Sequence, residues 1–263
     1  MAGCDGVIHL ASVSNWDDIH SPLMSEVLIN GSQKVLKAAQ RAGNLRMVYV
    51  SSAAAINGTT EPQLQDEKSA FTLTNRKEYA YAFAKHEVEQ HCQQAVAAGL
   101  PVVIVNPTEV YGPHDRDLIT AGNLLDFAKS NPVLVPHGGT SVVHVDDVAA
   151  GIIAALQKGR VGERYILGGD NLMLKELATL TLELLGQHKK IITLPNRLIS
   201  GLAKVGSTLH LPLPFNPAVI PYAVRYWLMD NSKAQLELGV TFRSAHKTLI
   251  PTLRWLQEDG YVD

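Results

Sequence analysis

The sequence predicts an α/β fold built on a parallel sheet, because short apolar segments alternate with longer helical patterns along its first half. Three of these segments are rich in valine and isoleucine and are only as long as a strand. With 263 residues, of which 46% are hydrophobic and 18% charged, the chain has the composition of a folded protein. Its length allows one large core, or one core with a small added lobe.

The first predicted strand is GVIHLAS at residues 6–12, an apolar segment that reads as buried. A helix is predicted at residues 25–42. Its apolar stripe is formed by Val27, Val35, Leu36 and Ala39. The second predicted strand is RMVYVSS at 46–52, and a polar loop at 57–77 separates it from the next helix.

That next helix contains Tyr81 and is predicted to run to about Ala98, because Gly99 is a strong helix stop. The third strand, PVVIVNP at 101–107, ends at its own proline. The segment 140–156 predicts a short strand followed by a helix that Asp146 or Asp147 caps. A further strand, ERYILGG, is predicted at 163–169.

From Met173 onward the pattern is mostly helical, and the proline-rich HLPLPFNP at 210–217 interrupts it. We therefore expect a first domain of residues 1–170 and a small, mostly helical lobe of residues 171–263, with segments able to cross back. The lobe contains GLAKVGST at 201–208, which has two glycines but no lysine before Ser207. This segment predicts a helix rather than a phosphate-binding loop.

The stretch EYAYAFAKHEVEQH at 78–91 places one tyrosine beside a lysine. Tyr81 and Lys85 are four residues apart and share a helix face, whereas Tyr79 is six residues from Lys85 and does not. An ammonium beside a phenol stabilises the phenolate and lowers the tyrosine pKa from about 10 toward neutrality. Tyr81 is therefore a candidate proton donor and acceptor, although a core tyrosine beside a solvated lysine has the same spacing.

Polar residues stand where the predicted strands end. The first strand ends in HLAS, the second ends in Ser51 and Ser52, and the third leads into NPTEVYG. In an open parallel sheet, ligands bind outside the carboxyl ends of the strands, so these ends line one crevice. We expect Ser52 to hydrogen-bond to a substrate oxygen while Tyr81 moves the proton and Lys85 stabilises the phenolate.

Six segments, which cover nearly the whole chain in order, carry a resemblance to a known family. They are GCDGVIHLAS, VYVSSAAA, YAFAK with Glu89, VVIVNPTEVYGP, VVHVDDVA and GERYILGGDNLMLKEL. The chain resembles the extended short-chain dehydrogenases/reductases of the NAD(P)-dependent epimerase/dehydratase group. Its segments NPTEVYGP and GCDGVIHLAS resemble the dihydroflavonol-reductase-like and hopanoid-associated sugar epimerase-like branches.

The resemblance implies a Rossmann domain, NAD or NADP as the cofactor, and a small-molecule substrate of sugar-nucleotide or flavonol/ketone-like type. Ser52, Tyr81 and Lys85 match the family's catalytic serine, tyrosine and lysine. The implied contacts to the cofactor come from Tyr81, Lys85 and two strand ends, namely Leu10, Ala11, Ser12, Pro107, Thr108 and Val110. The implied reaction moves a hydride at a carbinol or carbonyl carbon, as in a reductase, an epimerase or a dehydratase.

The chain departs from the family at its beginning. The family opens with a strand and a glycine-rich turn that holds the pyrophosphate, whereas segment 6–12 matches the family's fourth strand. We therefore expect an N-terminally truncated Rossmann-type sheet, from a fragment or a late start codon, which by itself binds NAD(P) weakly or not at all. The strand at 7–11 then has an open apolar edge, which predicts a homodimer, an edge-covering chain or aggregation. The alternative function is a non-catalytic relative, a binding module or inactive fragment that retains the catalytic residues by inheritance.

Two further departures lie near Tyr81. The family usually has an asparagine where this chain has Leu28, and a serine where it has Ala84. Both changes weaken the expected proton relay around the tyrosine.

Composition disfavours several other classes of protein. The formal net charge of −2 provides no basic surface for nucleic acid, and no apolar run is long enough for a membrane span. The N-terminal residues do not show the basic-then-apolar pattern expected of a secretory signal. Cys4 and Cys92 fit the reduced thiols of a cytoplasmic protein. No metal site is expected, because His86 and His91 are five residues apart, which misses the common spacing of metal ligands.

Overall fold

The computed structural model describes residues 1, 3–13, 15–16, 19, 21–211, 213 and 215–262. Within these residues the strands are β1 (Gly6–His9), β2 (Arg46–Val50), β3 (Val102–Pro107), β4 (Glu109–Tyr111), β5 (Val133–Pro136), β6 (Gly139–His144), β7 (Arg164–Leu167), β8 (Asn171–Met173), β9 (Ile191–Leu194) and β10 (Tyr226–Trp227). The α-helices are α1 (Pro22–Ser25), α2 (Ser32–Arg41), α3 (Ala80–Ala97), α4 (Ala121–Lys129), α5 (Val145–Lys158), α6 (Leu174–Leu184), α7 (Asn196–Leu209), α8 (Ile220–Ala223), α9 (Ser232–Leu238) and α10 (Ala245–Glu258).

The main sheet has the strand order β1-β2-β3-β7, and all its neighbouring strands are parallel. Helices cover both faces. On one face, α2 and α3 pack on Met47, Tyr49 and Ile104. On the other face, α5 and α9 pack on the alternate residues, which include Val48 and Val103. The predicted α/β fold with a parallel sheet is confirmed. It also explains the near-continuous apolar runs of the central strands, which are buried on both sides.

The edge strand β1 is shorter than expected. It ends at His9, and among the described residues it pairs only with β2. Ile8 is 37% exposed and Leu10 is 58% exposed, so the segment is less buried than an apolar run suggests. A strand with a single neighbour leaves one row of backbone groups and part of its side chains uncovered.

The predicted helix at 25–42 begins earlier and contains an irregular turn. Helix α1 leads through a π-helical turn, Glu26–Gly31, into α2 without a break. Because a π turn holds one extra residue, the buried positions shift from those of a regular helix. The resulting buried stripe consists of Met24, Leu28, Ser32, Leu36 and Ala39.

A second sheet, also of four strands, is centred on β6. Strands β10 and β4 pair with β6 in parallel, and β8 pairs with it antiparallel. The polar loop at 57–77 reaches this sheet, since Thr59 and Gln65 form bridges to Tyr226 and Met229. Strand β10 and helix α9 come from the C-terminal part of the chain and pack on the first part. The proposed division near residue 170 stays a prediction, with these two elements crossing it.

Two local predictions for the second half have different outcomes. Segment 201–208 lies within α7, which confirms a helix there. The predicted cap of α5 is wrong, because His144, and not Asp146 or Asp147, is the N-cap residue. Its Nδ1 accepts a hydrogen bond from the Asp146 amide at 3.1 Å. The two aspartates lie two and three residues after His144, in the first turn, where the positive end of the helix dipole stabilises their negative charge.

Three smaller findings complete the fold. Pro212 and Pro214 of the proline-rich segment lie outside the described residues. Every helix within the described residues is too short or too polar to cross a lipid bilayer. Among those residues, no three His, Cys, Asp or Glu side chains are grouped closely enough to bind a metal ion.

Candidate active site

Ser52 is the second residue after β2 and is held by one backbone and one side-chain donor. It is extended, with φ −161° and ψ 153°, and it starts a single 3-10 turn, Ala53–Ala55. Its hydroxyl oxygen accepts a hydrogen bond from the Ala54 amide at 3.2 Å. Its carbonyl oxygen accepts one from the Asn106 side chain at 2.9 Å. This arrangement fixes the hydroxyl oxygen and leaves its proton for another acceptor.

Tyr81 lies in the first turn of α3, next to the end of β2. Its hydroxyl lies near the hydroxyls of Ser52 and Ser12, which both favour its ionised form. Lys85 is one helical turn further on, and its Nζ is 5.7 Å from the centroid of the Tyr81 ring. The structure therefore brings Ser12, Ser52, Tyr81 and Lys85 together at the carboxyl end of the main sheet.

Lys85 is almost fully enclosed. The residue is 2% exposed, and its Nζ donates a hydrogen bond to the Val50 carbonyl at 3.1 Å. Loss of water around the ammonium lowers the pKa of Lys85 to about 8, although Glu89, one turn further along α3, opposes this change. Lys85 thus carries a positive charge at neutral pH, but its ammonium loses its proton more easily than that of an exposed lysine.

The expected fall in the Tyr81 pKa does not occur in this structure. Burial of the phenol raises the pKa of Tyr81, and the nearby Ser52 and Ser12 hydroxyls only partly offset that effect. The expectation was wrong because it counted the attraction of Lys85 for the phenolate and omitted the cost of removing the phenolate from water. Tyr81 is therefore protonated at neutral pH.

Because the Lys85 ammonium is buried, the free energy of unfolding should depend on pH. Because the pKa of Lys85 is near 8 when folded and near 10.5 when unfolded, the unfolded chain binds more protons between these values, and stability rises with pH in that window. The wild type should gain about 2 kcal/mol in free energy of unfolding relative to Lys85→Met between about pH 7 and about pH 10. Urea titrations at the two pH values measure this. Lys77→Met, at a position with an exposed side chain, serves as the control and should show no such gain.

Tyr79 occupies a different environment from Tyr81. It is buried at the start of α3 among Ile19, Leu73 and Tyr222. Its hydroxyl accepts a hydrogen bond from Arg225 Nε at 2.8 Å and donates one to the Pro221 carbonyl at 3.3 Å. These contacts tie α3 to the C-terminal lobe, so the Tyr79 hydroxyl has a structural role.

A buried polar network lies behind Lys85 and is centred on Glu89. Glu89 Oε1 accepts hydrogen bonds from the Ser51 hydroxyl at 2.5 Å and from the Asn106 side chain at 2.6 Å. Its Oε2 pairs with the Arg164 guanidinium at 3.2 Å. The network joins α3 to the ends of β2, β3 and β7, and it holds Ser52 through the Asn106 bond described above.

The two departures from the family pattern contact one another. Leu28 and Ala84 are both buried and pack with Met24 in one small apolar cluster, against which Ala80 and Tyr81 also lie. Leu28 belongs to the π turn. The side of Tyr81 that faces this cluster is therefore surrounded by apolar groups.

The residues predicted to contact a cofactor differ in their distance from Tyr81 and from the cavity beside it. Ser12 Oγ is shielded from solvent beside the Tyr81 hydroxyl, and it lacks a hydrogen bond of good geometry with the described residues. Leu10 and Ala11 lie exposed in the segment between β1 and Ser12. Thr108 lines a cavity together with Ser52 and Tyr81. Pro107, which ends β3, and Val110, in β4, flank the lining residues Thr108 and Glu109 without lining the cavity themselves.

Two adjoining cavities lead from these residues into the C-terminal lobe. The inner cavity is bordered by Ser52, Tyr81, Thr108, Ile119 and Thr120. The outer cavity has a largely apolar lining, which includes Phe127, Val133, Leu174, Leu177, Phe215 and Ile220. Six residues line both: Trp16, Glu109, Asn123, Thr140, Tyr222 and Trp227. Together the cavities form a continuous pocket beside the tyrosine.

Sequence reasoning missed Glu109, Asn123 and the two tryptophans of this pocket. Glu109 offered a signal, since it is an acidic residue within the strand end NPTEVYG, between the expected contacts Thr108 and Val110. Trp16, Asn123 and Trp227 offered none, because they come from separate regions of the chain that only folding brings together.

Comparisons with known proteins agree with this architecture. The model of the NAD dependent epimerase/dehydratase family matches residues 1–168, which include Ser52, Tyr81 and Lys85. A protein named as a candidate dihydroflavonol 4-reductase, from Synechocystis sp., is 33% identical over 273 aligned residues, which cover 100% of this chain and 79% of the relative. Sterol demethylase protein B from Methylococcus capsulatus is 27% identical over 274 residues, which cover 100% of this chain and 81% of the relative.

A solved structure shows the same fold. The dTDP-glucose 4,6-dehydratase from Streptomyces venezuelae, crystallised as a double mutant with NAD bound, superposes with a TM-score of 0.74 at 24% identity. The match covers 98% of this chain and 74% of the dehydratase. At this identity the likeness concerns the fold alone.

Proposed function

Since the chain belongs to the NAD dependent epimerase/dehydratase family, we propose that it moves a hydride between NAD or NADP and a carbinol or carbonyl carbon of a small molecule, with Tyr81 as the acid and base. It is an NAD(P)-dependent enzyme by its family and by its reductase-named relatives. The observation that carries the proposal is the position of the Tyr81 hydroxyl, which lies beside Ser52 and Ser12 at the pocket, one helical turn before the buried Lys85.

The residues present fit a nicotinamide cofactor. The Ser12 hydroxyl, three residues after β1 and beside the Tyr81 hydroxyl, is shielded from solvent and has no hydrogen bond of good geometry within the described part of the chain. A hydroxyl in this position favours a polar ligand. Leu10, Ala11, Ser12, Pro107 and Thr108 stand at the carboxyl ends of β1 and β3, where ligands of parallel sheets bind. These residues, with Tyr81 and Lys85, would hold the cofactor.

The proton chemistry follows from the chain's own groups. Tyr81 is protonated at neutral pH, so it can donate its proton to a carbonyl oxygen that gains negative charge. The Ser52 hydroxyl, whose oxygen is fixed by the Ala54 amide, donates a hydrogen bond to the same substrate oxygen. The Lys85 ammonium stabilises the phenolate that remains, and in the oxidative direction each transfer reverses.

The substrate is a small molecule of flavonol/ketone-like or sugar-nucleotide type. The Synechocystis relative, 33% identical, is named for a reductase of dihydroflavonols, and this supports reduction of a ketone. The neighbouring dehydratase acts on a nucleotide sugar, but at 24% identity it supports only the shared fold.

An isotope experiment tests the proposed function. NADH and NADPH are each titrated into the chain, with energy transfer from tryptophan to nicotinamide as the readout of binding. The chain is then incubated with NADH or NADPH deuterated at C4 of the reduced nicotinamide, and with 4-chromanone or a dihydroflavonol; the deuteride reduces the ketone, Tyr81 supplies the proton and NAD⁺ or NADP⁺ is released. We expect deuterium at the new carbinol carbon. Because the sequence predicts weak binding at best, both titrations extend to millimolar nucleotide. A correctly folded chain that binds neither nucleotide in that range contradicts the proposal for this chain. A chain that binds one nucleotide without transferring deuterium to either ketone also contradicts it.

A further inference from the structure

Glu109 lies at the junction of the two cavities, beside the candidate active site. It lines both the inner cavity with Ser52 and Tyr81 and the outer apolar cavity. Neither the tyrosine chemistry nor the cofactor uses its carboxyl group. A carboxyl group at this junction contacts whatever extends from the reacting centre into the outer cavity.

The Glu109 carboxyl is held firmly by neutral donors. Its Oε1 accepts hydrogen bonds from the Tyr111 hydroxyl at 2.9 Å and from the Asn123 side chain at 2.6 Å. The Thr140 hydroxyl, another lining group, also favours the ionised form. Among the described residues, no lysine, arginine or histidine forms an ion pair with Glu109. The second oxygen, Oε2, retains capacity to accept a hydrogen bond from a ligand.

The charge of the pocket is unfavourable for an anion. Besides Glu109, the outer cavity is lined by Asp126, and the described lining residues of both cavities include no lysine, arginine or histidine. Protein sites for phosphate groups usually supply arginine, lysine or free helix N-terminal amides. Burial raises the pKa of both Glu109 and Asp126, and a nearby phosphate would raise it further.

The start of α4, which borders the inner cavity, already binds an anionic group of the protein. Helix α4 begins beside the inner cavity, which Thr120 and Ile119 line. The amides of Ile119, Thr120 and Ala121 all donate hydrogen bonds to the Asp115 carboxylate, at 3.0 to 3.1 Å. The Asp115 carboxylate therefore occupies the position at the start of α4 where a phosphate group of a ligand could otherwise bind.

The rest of the outer cavity suits an apolar ring system. Trp16, Phe127, Phe215, Tyr222 and Trp227 provide aromatic surface, and valine and leucine side chains complete the lining. Aromatic walls with a few fixed polar groups are typical of pockets for apolar small molecules.

We infer that Glu109 is a specificity-determining residue, which accepts a hydrogen bond from a hydroxyl group on an uncharged, largely apolar substrate and excludes substrates that carry phosphate. This inference rests on the proposed function, in that the pocket is taken as the substrate's. Of the two substrate types above, it selects the flavonol/ketone-like one.

A matched set of ligands tests the inference without cofactor or turnover. Calorimetric titrations compare 2-naphthol, which has a hydroxyl donor, with 2-methoxynaphthalene, which has none, and with 2-naphthyl phosphate, which is anionic. We expect 2-naphthol to bind at least about tenfold more tightly than either, since a hydrogen bond to a charged acceptor contributes about 1.5 kcal/mol or more. In Glu109→Gln the ratio of the Kd of 2-naphthyl phosphate to the Kd of 2-naphthol should fall by about tenfold, because the substitution removes the negative charge and keeps the shape of the side chain.

Glu183→Gln is the control variant, because this exposed carboxyl on α6 lies outside the pocket lining and has the same charge change. It should leave all three affinities unchanged. Equal binding of 2-naphthol and 2-naphthyl phosphate by the wild type overturns the inference, as does failure of all three to bind. A Glu109→Gln variant that folds and binds like wild type also overturns it. If that variant does not fold, the wild-type comparison decides. Failure of nicotinamide binding or deuterium transfer contradicts the proposed function and leaves these ligand affinities as a separate result.

Discussion

Tyr81→Phe is expected to lower the rate of hydride transfer by about a thousandfold, a loss within the usual range for removal of a general acid. The variant retains the ring, so its packing beside Leu28 and Ala84 is kept and only the hydroxyl is lost. The proton donor beside Ser52 then disappears. The rate is measured as deuterium transfer to 4-chromanone, and the fold is checked by the free energy of unfolding in urea.

Tyr79→Phe is the matched control, since it makes the same change two residues away on the same helix. Its hydroxyl bonds to Arg225 and Pro221 and faces the C-terminal lobe. We expect a loss of about 1 kcal/mol in stability and most of the activity to remain. If Tyr79→Phe lowers the rate of hydride transfer more than Tyr81→Phe does, the assignment of proton transfer to Tyr81 is wrong.

Glu89→Ala is expected to lower the free energy of unfolding by about 3 kcal/mol or more, because breaking a buried ion pair leaves one charge without its partner. The Glu89 side chain is only 5% exposed, and the Arg164 guanidinium beside it would lose its carboxylate. Ser51 and Asn106 would each lose a hydrogen-bond acceptor as well. Urea unfolding of the variant measures the loss.

Glu87→Ala provides the comparison on the same helix. Glu87 also pairs with an arginine, Arg76, at 2.5 Å, but the Arg76 side chain is 62% exposed. A surface pair of this kind contributes about 0 to 1 kcal/mol, so this variant should lose little stability. Because both variants replace glutamate by alanine in α3, helix propensity cancels between them. Equal losses for the two positions would show that burial of the Glu89 network is not what stabilises the fold.

Some features of the candidate site could be predicted from the sequence, and others depend on how distant parts of the chain pack together. The pairing of Tyr81 with Lys85 followed from a spacing of four residues, which the helix realises directly. The direction of the Tyr81 pKa did not follow from spacing, because it is set by how much water the surrounding apolar groups exclude. Glu109 shows the same dependence, since its partners Asn123 and Thr140 come from other elements.

The sequence by itself determined the alternation of strands and helices, the end of α3 near Gly99 and the shared face of Tyr81 and Lys85. These features depend on residues a few positions apart, whose periodicity, capping and turn chemistry act within one element. Only the tertiary structure decided that His144 caps α5, that β1 ends at His9, that Leu28 meets Ala84 and that Glu89 and Glu109 have buried partners. The physical reason is that burial and desolvation at a residue are produced by groups distant in the chain, which no local pattern specifies.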